Sequence, residues 1–138
     1  MFTVTKEIKW DMAHRLPSYN WKCFNVHGHT YKALITIERE IQRLWIQDWM
    51  VMDFWDFKDI KDWIDENRDH SYVWRSDDEV LQFLKEKWYR TYEFSFSPTA
   101  EKMSEFLFKV VENLLSTTFK VKSVTIYETP TSFSTYTK

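Results

Sequence analysis

Val26-His-Gly-His-Thr-Tyr-Lys-Ala-Leu-Ile-Thr-Ile-Glu-Arg39 decides the fold, because its odd positions form one continuous set. His27, His29, Tyr31, Ala33, Ile35 and Ile37 share a face, and a period of two marks a strand with one side buried. The segment before it repeats the pattern. Phe2, Val4, Ile8, Trp10 and Met12 fall on one face and Thr3, Thr5, Glu7, Lys9 and Asp11 on the other. Between the two, Arg15 to Phe24 contains Pro17, Ser18 and Asn20 and is predicted as a loop. A third strand is expected across Trp45 to Phe54.

Helical spacing follows. Asp53 is placed to cap a helix beginning near Trp55, with Phe57, Ile60 and Ile64 on its apolar side. Val80, Leu84 and Trp88, four apart, predict a helix over Glu79 to Tyr89. The clearest helix starts near Pro98, with Ser97 as its cap. Its stripe is Met103, Phe106, Leu107, Val110, Val111, Leu114 and Leu115. Two strands close the chain. Val124, Ile126 and Glu128 share a face in the first, Phe133 and Thr135 in the second. The expected order is three strands, three helices and two strands. That is an α+β class, with an antiparallel sheet covered by helices on one face. No internal repeat or linker is seen, so residues 1–138 are expected to form a single domain.

Composition narrows the function classes. Charged residues are 29% and aromatics 19% of 138 residues, which argues against disorder. The net charge is -2, and no basic face for nucleic acid is indicated. No apolar run approaches the roughly 20 residues of a membrane span. The first residues show no apolar export signal, and a single cysteine suits a reducing compartment, so a cytoplasmic location is expected. There is one glycine, Gly28, and it stands between His27 and His29. It is there by chance, or because the backbone is crowded or takes an angle only glycine tolerates.

The residues able to do chemistry are few. His27 and His29 point the same way from a strand, about 6.6 Å apart along it, and two such imidazoles can share a metal ion. Two polar residues at a strand end would look the same. His14, at the end of the first strand, is the natural third ligand if the two strands form a hairpin. Three imidazoles with one open position is the pattern of catalytic zinc. Cys23 precedes His27 by four residues and is either a buried inert thiol or, near a cation, a base or nucleophile. Asp69-His70 is an adjacent carboxylate–imidazole pair suited to proton transfer. Glu128 lies on an apolar strand face, where an unpartnered carboxylate is costly. It is paired with a lysine or held for a ligand. Arg15 and Lys22 flank the loop and either meet an anion or are simply solvated.

In this order the pieces resemble the 6-pyruvoyltetrahydropterin synthase / 6-carboxytetrahydropterin synthase family. Trp10-Asp-Met-Ala-His-Arg-Leu-Pro17 is similar to its first zinc-ligand motif, and Cys23-Phe-Asn-Val-His-Gly-His-Thr-Tyr31 to its cysteine-plus-His-Gly-His segment. Val51-Met-Asp-Phe54, Asp69-His70, Pro98-Thr-Ala-Glu101 and Tyr127-Glu-Thr129 match later motifs. All four histidines, the one cysteine and the one glycine fall inside matched motifs. The chain departs from the family in Arg68 before Asp69, where leucine is common. It departs again in Ser71-Tyr-Val-Trp74 after the pair, and in a longer stretch before Pro98.

The resemblance implies the tunnelling fold (T-fold), assembled into a homo-oligomeric β-barrel, a hexamer or tetramer. It implies a Zn2+ cofactor on His14, His27 and His29 and a pterin substrate, 7,8-dihydroneopterin triphosphate. Cys23, Asp69 and His70 would be catalytic, Glu128 would grip the pterin ring, and Thr99 and Thr129 would assist there. Ala13-His-Arg-Leu-Pro17 and Lys22-Cys23 look more like the 6-carboxy type, of the 7-deazaguanine and queuosine pathway. The alternatives are the 6-pyruvoyl type, of tetrahydrobiopterin synthesis, and a zinc-binding homologue without turnover.

Overall fold

The structure is a computed structural model that describes residues 1–20, 22–41 and 50–138. The two alternating segments form long strands, β1 (Phe2–His14) and β2 (His27–Arg39). They pair antiparallel over their full length, from Phe2 opposite Arg39 to His14 opposite His27. Ile8, Trp10 and Met12 of β1 and Tyr31, Ala33, Ile35 and Ile37 of β2 face the core, as their alternation requires. β5 (Lys120–Thr129) pairs antiparallel with β2, and β6 (Ser132–Thr137) with β5.

The third strand expected over Trp45 to Phe54 is not found where it can be assessed. Gln42 to Trp49 lie outside the described residues, Met50–Asp53 form no strand, and Phe54–Phe57 are a 3-10 helix. Asp53 does cap that turn. Its carboxylate accepts from Trp55 N, and Asp56 returns a bond to the backbone of Asp53. The turn leads into α1 (Lys58–Asn67), which buries Ile60 and Ile64.

Two short strands were not expected, β3 (Ser71–Arg75) and β4 (Thr91–Phe94), with α2 (Glu79–Glu86) between them. β3 pairs parallel with β1, and β4 parallel with β3. The purely antiparallel sheet expected from sequence is therefore a mixed one, ordered β4-β3-β1-β2-β5-β6. The reason β3 escaped notice is physical: Tyr72, Val73 and Trp74 are all buried, so the strand has no polar face to alternate with.

α3 (Ala100–Leu114) lies under the sheet with α1, burying Met103, Leu107, Phe108 and Val111. Its cap is Thr99 rather than Ser97; the Thr99 hydroxyl accepts from Lys102 N, and Pro98 precedes the cap. α1 and α3 make the helical layer on one face. α2 packs elsewhere: Leu81 joins Tyr72 and Trp74, which alternate with core-facing Val73, and Ala13, Leu16, Val80 and Leu84 complete this second cluster.

Candidate metal centre

The hairpin register builds the centre. His14 stands directly opposite His27, and Met12 opposite His29, so the three histidines meet at one end of the β1–β2 ladder. Each offers a ring nitrogen, and these atoms lie within 4.8 Å of one another. Nε2 of His14 and Nε2 of His27 are 3.1 Å apart. Their rings meet edge to face, as do those of His14 and His29 at a centroid distance of 5.3 Å.

β5 adds the fourth element. Lys32 pairs with Tyr127, which brings the next residue, Glu128, alongside Tyr31. Glu128 Oε1 is 3.3 Å from His14 Nε2 and 3.6 Å from His29 Nε2. Among the described residues no lysine pairs with this carboxylate; its partners are His14, His29 and Tyr31. Tyr31, to which the sequence assigned no role, is fully buried. Its hydroxyl donates to Glu128 Oε1 at 3.4 Å and lies 3.3 Å from His14 Nδ1. The signal was present in the series His27, His29, Tyr31, whose third member follows the first two inward.

Electrostatics keep the ring nitrogens available. Burial, then repulsion from His27 and His29, lowers the pKa of His14 to about 4. Burial also lowers that of His29, His27 adds to the effect, and Glu128 partly opposes it. Both rings are therefore neutral near pH 7, the form a metal ligand needs. His27 Nδ1 lies 2.8 Å from the carbonyl of Asn25, where it donates and leaves Nε2 as the free acceptor. Burial, reinforced by Glu128, raises the Tyr31 hydroxyl and keeps it a donor.

These features fit a cation held by nitrogen ligands. Three neutral imidazoles converge, and a carboxylate beside them needs compensating positive charge. Cys23 is not one of this set. It sits half-buried in the 3-10 turn Lys22–Phe24, and its carbonyl accepts from Leu16 N at 2.6 Å.

Asp69 and His70 form the expected pair, with His70 Nδ1 2.9 Å from Asp69 Oδ2. Partial burial pushes the Asp69 carboxyl up, but hydrogen bonds from Asp11 N–H and His70, with attraction to His70, outweigh it and hold it below its usual value. The backbone at His70 has φ 56°, and its N–H donates to Asp11 O at 2.7 Å. His70 is exposed and shares a concave surface with Asp11, Gly28, His29 and Thr30. A second concavity runs from Gly28 and His29 to Lys9, Lys32, Tyr127, Glu128 and Thr129. His29 thus borders both the acid–base pair and the Glu128 side.

Gly28 has no positive φ, and a Cβ there would meet Met12 O at 3.5 Å, an ordinary contact. Neither crowding within the chain nor a special angle explains it. Arg15 is not a solvated loop cation. It is buried and ion-paired with Asp78.

The family model described as 6-pyruvoyl tetrahydropterin synthase matches residues 3–138, and the chain belongs to that family. Among curated proteins it is similar to the 6-carboxy-5,6,7,8-tetrahydropterin synthase of Haemophilus influenzae, 35% identical over 144 residues and 99% of each chain. The protein of the same name from Rickettsia conorii is 34% identical, over 96% of this chain and 98% of its own. In fold, an uncharacterized protein of Wolinella succinogenes superposes with a TM-score of 0.82 at 23% identity, covering 99% of this chain and 97% of the other. The 6-pyruvoyl tetrahydropterin synthase of Caenorhabditis elegans superposes with a TM-score of 0.73 at 23% identity, covering 99% and 95%. The sheet with helices on one face is thus that of the family's solved structures, the T-fold.

Proposed function

We propose that this chain is a zinc-dependent lyase. In this reading it converts 7,8-dihydroneopterin triphosphate to 6-carboxy-5,6,7,8-tetrahydropterin with release of acetaldehyde and triphosphate. The observation that carries this reading is the position of Glu128, a carboxylate 3.3 Å from His14 in the three-imidazole cluster. A ligand anchored by Glu128 has its adjoining atoms at the cluster. The names of the curated relatives support the 6-carboxy product over the 6-pyruvoyl one.

His14, His27 and His29 would hold the zinc, which when bound supplies Lewis acidity toward the substrate's side-chain oxygens. Glu128 accepts two adjacent N–H donors of the pterin, a geometry a carboxylate matches. Thr129 borders the same concavity. Thr99 accepts from Lys102 N, and its own hydroxyl hydrogen remains to donate to the ring. Cys23, as thiolate, takes a carbon-bound proton. His70, oriented by Asp69 at 2.9 Å, is the second acid–base group.

We further read residues 1–138 as one domain of a cytoplasmic homo-oligomer, a hexamer or tetramer closing into a barrel. Among the described residues the sheet ends in β4 and β6, and a strand edge of this kind is what a second copy would extend. Among the described residues no helix is long and apolar enough to cross a membrane. Incubation of the zinc-loaded protein with 7,8-dihydroneopterin triphosphate, followed by product mass analysis, tests the reaction. A 6-carboxy product supports it, a 6-pyruvoyl product replaces it with the sister reaction, and unchanged substrate removes the catalytic reading. Light scattering tests the assembly, and a stable monomer at micromolar concentration would refute it.

A further inference from the structure

Among the described residues away from the histidines, Asp78 is the most heavily bonded carboxylate. It is 3% exposed and takes three hydrogen bonds and a close ion-pair contact. Arg15 Nε donates to Oδ1 at 2.8 Å, and Arg15 Nη2 forms an ion pair with the same oxygen at 2.6 Å. Tyr72 OH donates to Oδ2 at 2.7 Å, and Leu81 N at 3.1 Å. The last bond makes Asp78 the N-cap of α2. A cap needs only one such bond. The two Arg15 contacts tie α2 to the end of β1, and the Tyr72 bond ties it to β3.

What Arg15 does with its other side gives the pairing a consequence. Arg15 directly follows His14. Its guanidinium lies over the ring of Phe24, 5.3 Å from the centroid, and Phe24 is the neighbour of Cys23 in the 3-10 turn. Leu16, the next residue, donates its N–H to Cys23 O at 2.6 Å and packs in the α2 cluster with Tyr72, Trp74 and Leu81. The turn carrying Cys23 buries none of its own residues. It is therefore held from outside, and among the described residues Arg15 and Leu16, both anchored on α2 and β3, hold it.

We propose that Asp78 is a positioning residue. Through Arg15 it sets the place of the Cys23 turn relative to His14, so that the α2 segment is a support for the reaction centre. A buried ion pair is weak as a source of stability, because desolvation offsets most of its attraction. It is effective at specifying one geometry, since a charged partner left alone is costly. The inference rests on the proposed role of Cys23, and its test has a readout that needs no turnover.

That readout is the rate at which iodoacetamide alkylates Cys23, the one cysteine, in the zinc-loaded protein. Asp78→Asn keeps the cap oxygen and the helix but removes the charge that holds Arg15. The expected result is an alkylation rate changed at least about fivefold and a kcat lowered about tenfold, with KM within about twofold and zinc content unchanged. Leu84→Ala, which loosens the same α2 cluster without touching Asp78 or Arg15, controls for general destabilisation. A folded Asp78→Asn protein with the parental alkylation rate would overturn the proposal, as would equal changes in Leu84→Ala. If the parental protein turns nothing over while Asp78→Asn still shifts the alkylation rate, the positioning stands and the catalytic reading of Cys23 falls.

Discussion

Glu128 on β5 and His14 on β1 meet across the intervening strand, Oε1 to Nε2 at 3.3 Å, although their strands do not pair with each other. Both reach over β2, whose Tyr31 touches each of them. A carboxylate so placed is held rigidly and partly desolvated. Glu128→Gln keeps the shape but puts an N–H donor against the ligand's own donors. It is expected to weaken binding of a non-reacting pterin such as sepiapterin by about 2–3 kcal/mol, with zinc content unchanged. Calorimetric titration of both proteins decides it; equal affinities would remove Glu128 from the ligand.

The three-imidazole set and the thiol separate by metal analysis. The protein is expected to carry one zinc per chain. His29→Ala should lose most of it, because a centre with two protein ligands is incomplete. Cys23→Ala should retain it, since Cys23 lies outside the converging set of ligand atoms. Turnover should be lost in both. Full zinc in His29→Ala would refute the ligand assignment, and full turnover by Cys23→Ala would refute its role as base.

His14 also predicts how the metal-free protein responds to acid. Its pKa in the folded chain is lowered to about 4 by burial and by His27 and His29, so between that value and about 6.5 the unfolded chain binds more protons. Stability therefore rises with pH through this window. The contribution is fully present above pH 6.5 and is lost as pH falls toward 4. Integrated, it amounts to about 3 kcal/mol. Denaturant titrations of metal-free protein at several pH values should show the fall, and His14→Gln should flatten it. The same slope in His14→Gln would mean that other groups carry it.

Arg68 supplies a prediction of opposite kind. Its guanidinium lies among the rings of Trp63, Tyr92, Phe94 and Phe106, at 4.6 to 5.2 Å from their centroids. Burial lowers its pKa to about 10, with attraction to Tyr92 opposing. The desolvation cost offsets much of what the rings return. Arg68→Leu, which fills the site without the charge, is expected to stay within about 1 kcal/mol of the parent, whereas Arg68→Ala should lose about 2–4 kcal/mol to the cavity. Similar losses in both variants would show that the charge itself stabilises the fold.

The alternation in Phe2–His14 and His27–Arg39, and the helical spacing of α1, α2 and α3, were legible because each pattern is local. A residue's face follows from its own neighbours two to four positions away. His14, His27 and His29 came with them, since a hairpin between two such strands brings their ends together. Other features depend on distant partners. Tyr72-Val-Trp74 has no polar face, so its strand was recognisable only once β1 lay beside it. Arg15 looked solvated because Asp78, 63 residues on, has no local signature as its partner. Glu128 was marked by its apolar face, but that it meets His14 rather than a lysine depends on the β2–β5 register. Periodicity determines which side of an element is buried. Which elements then lie against each other, and so which buried polar groups satisfy one another, is decided by packing across the sheet.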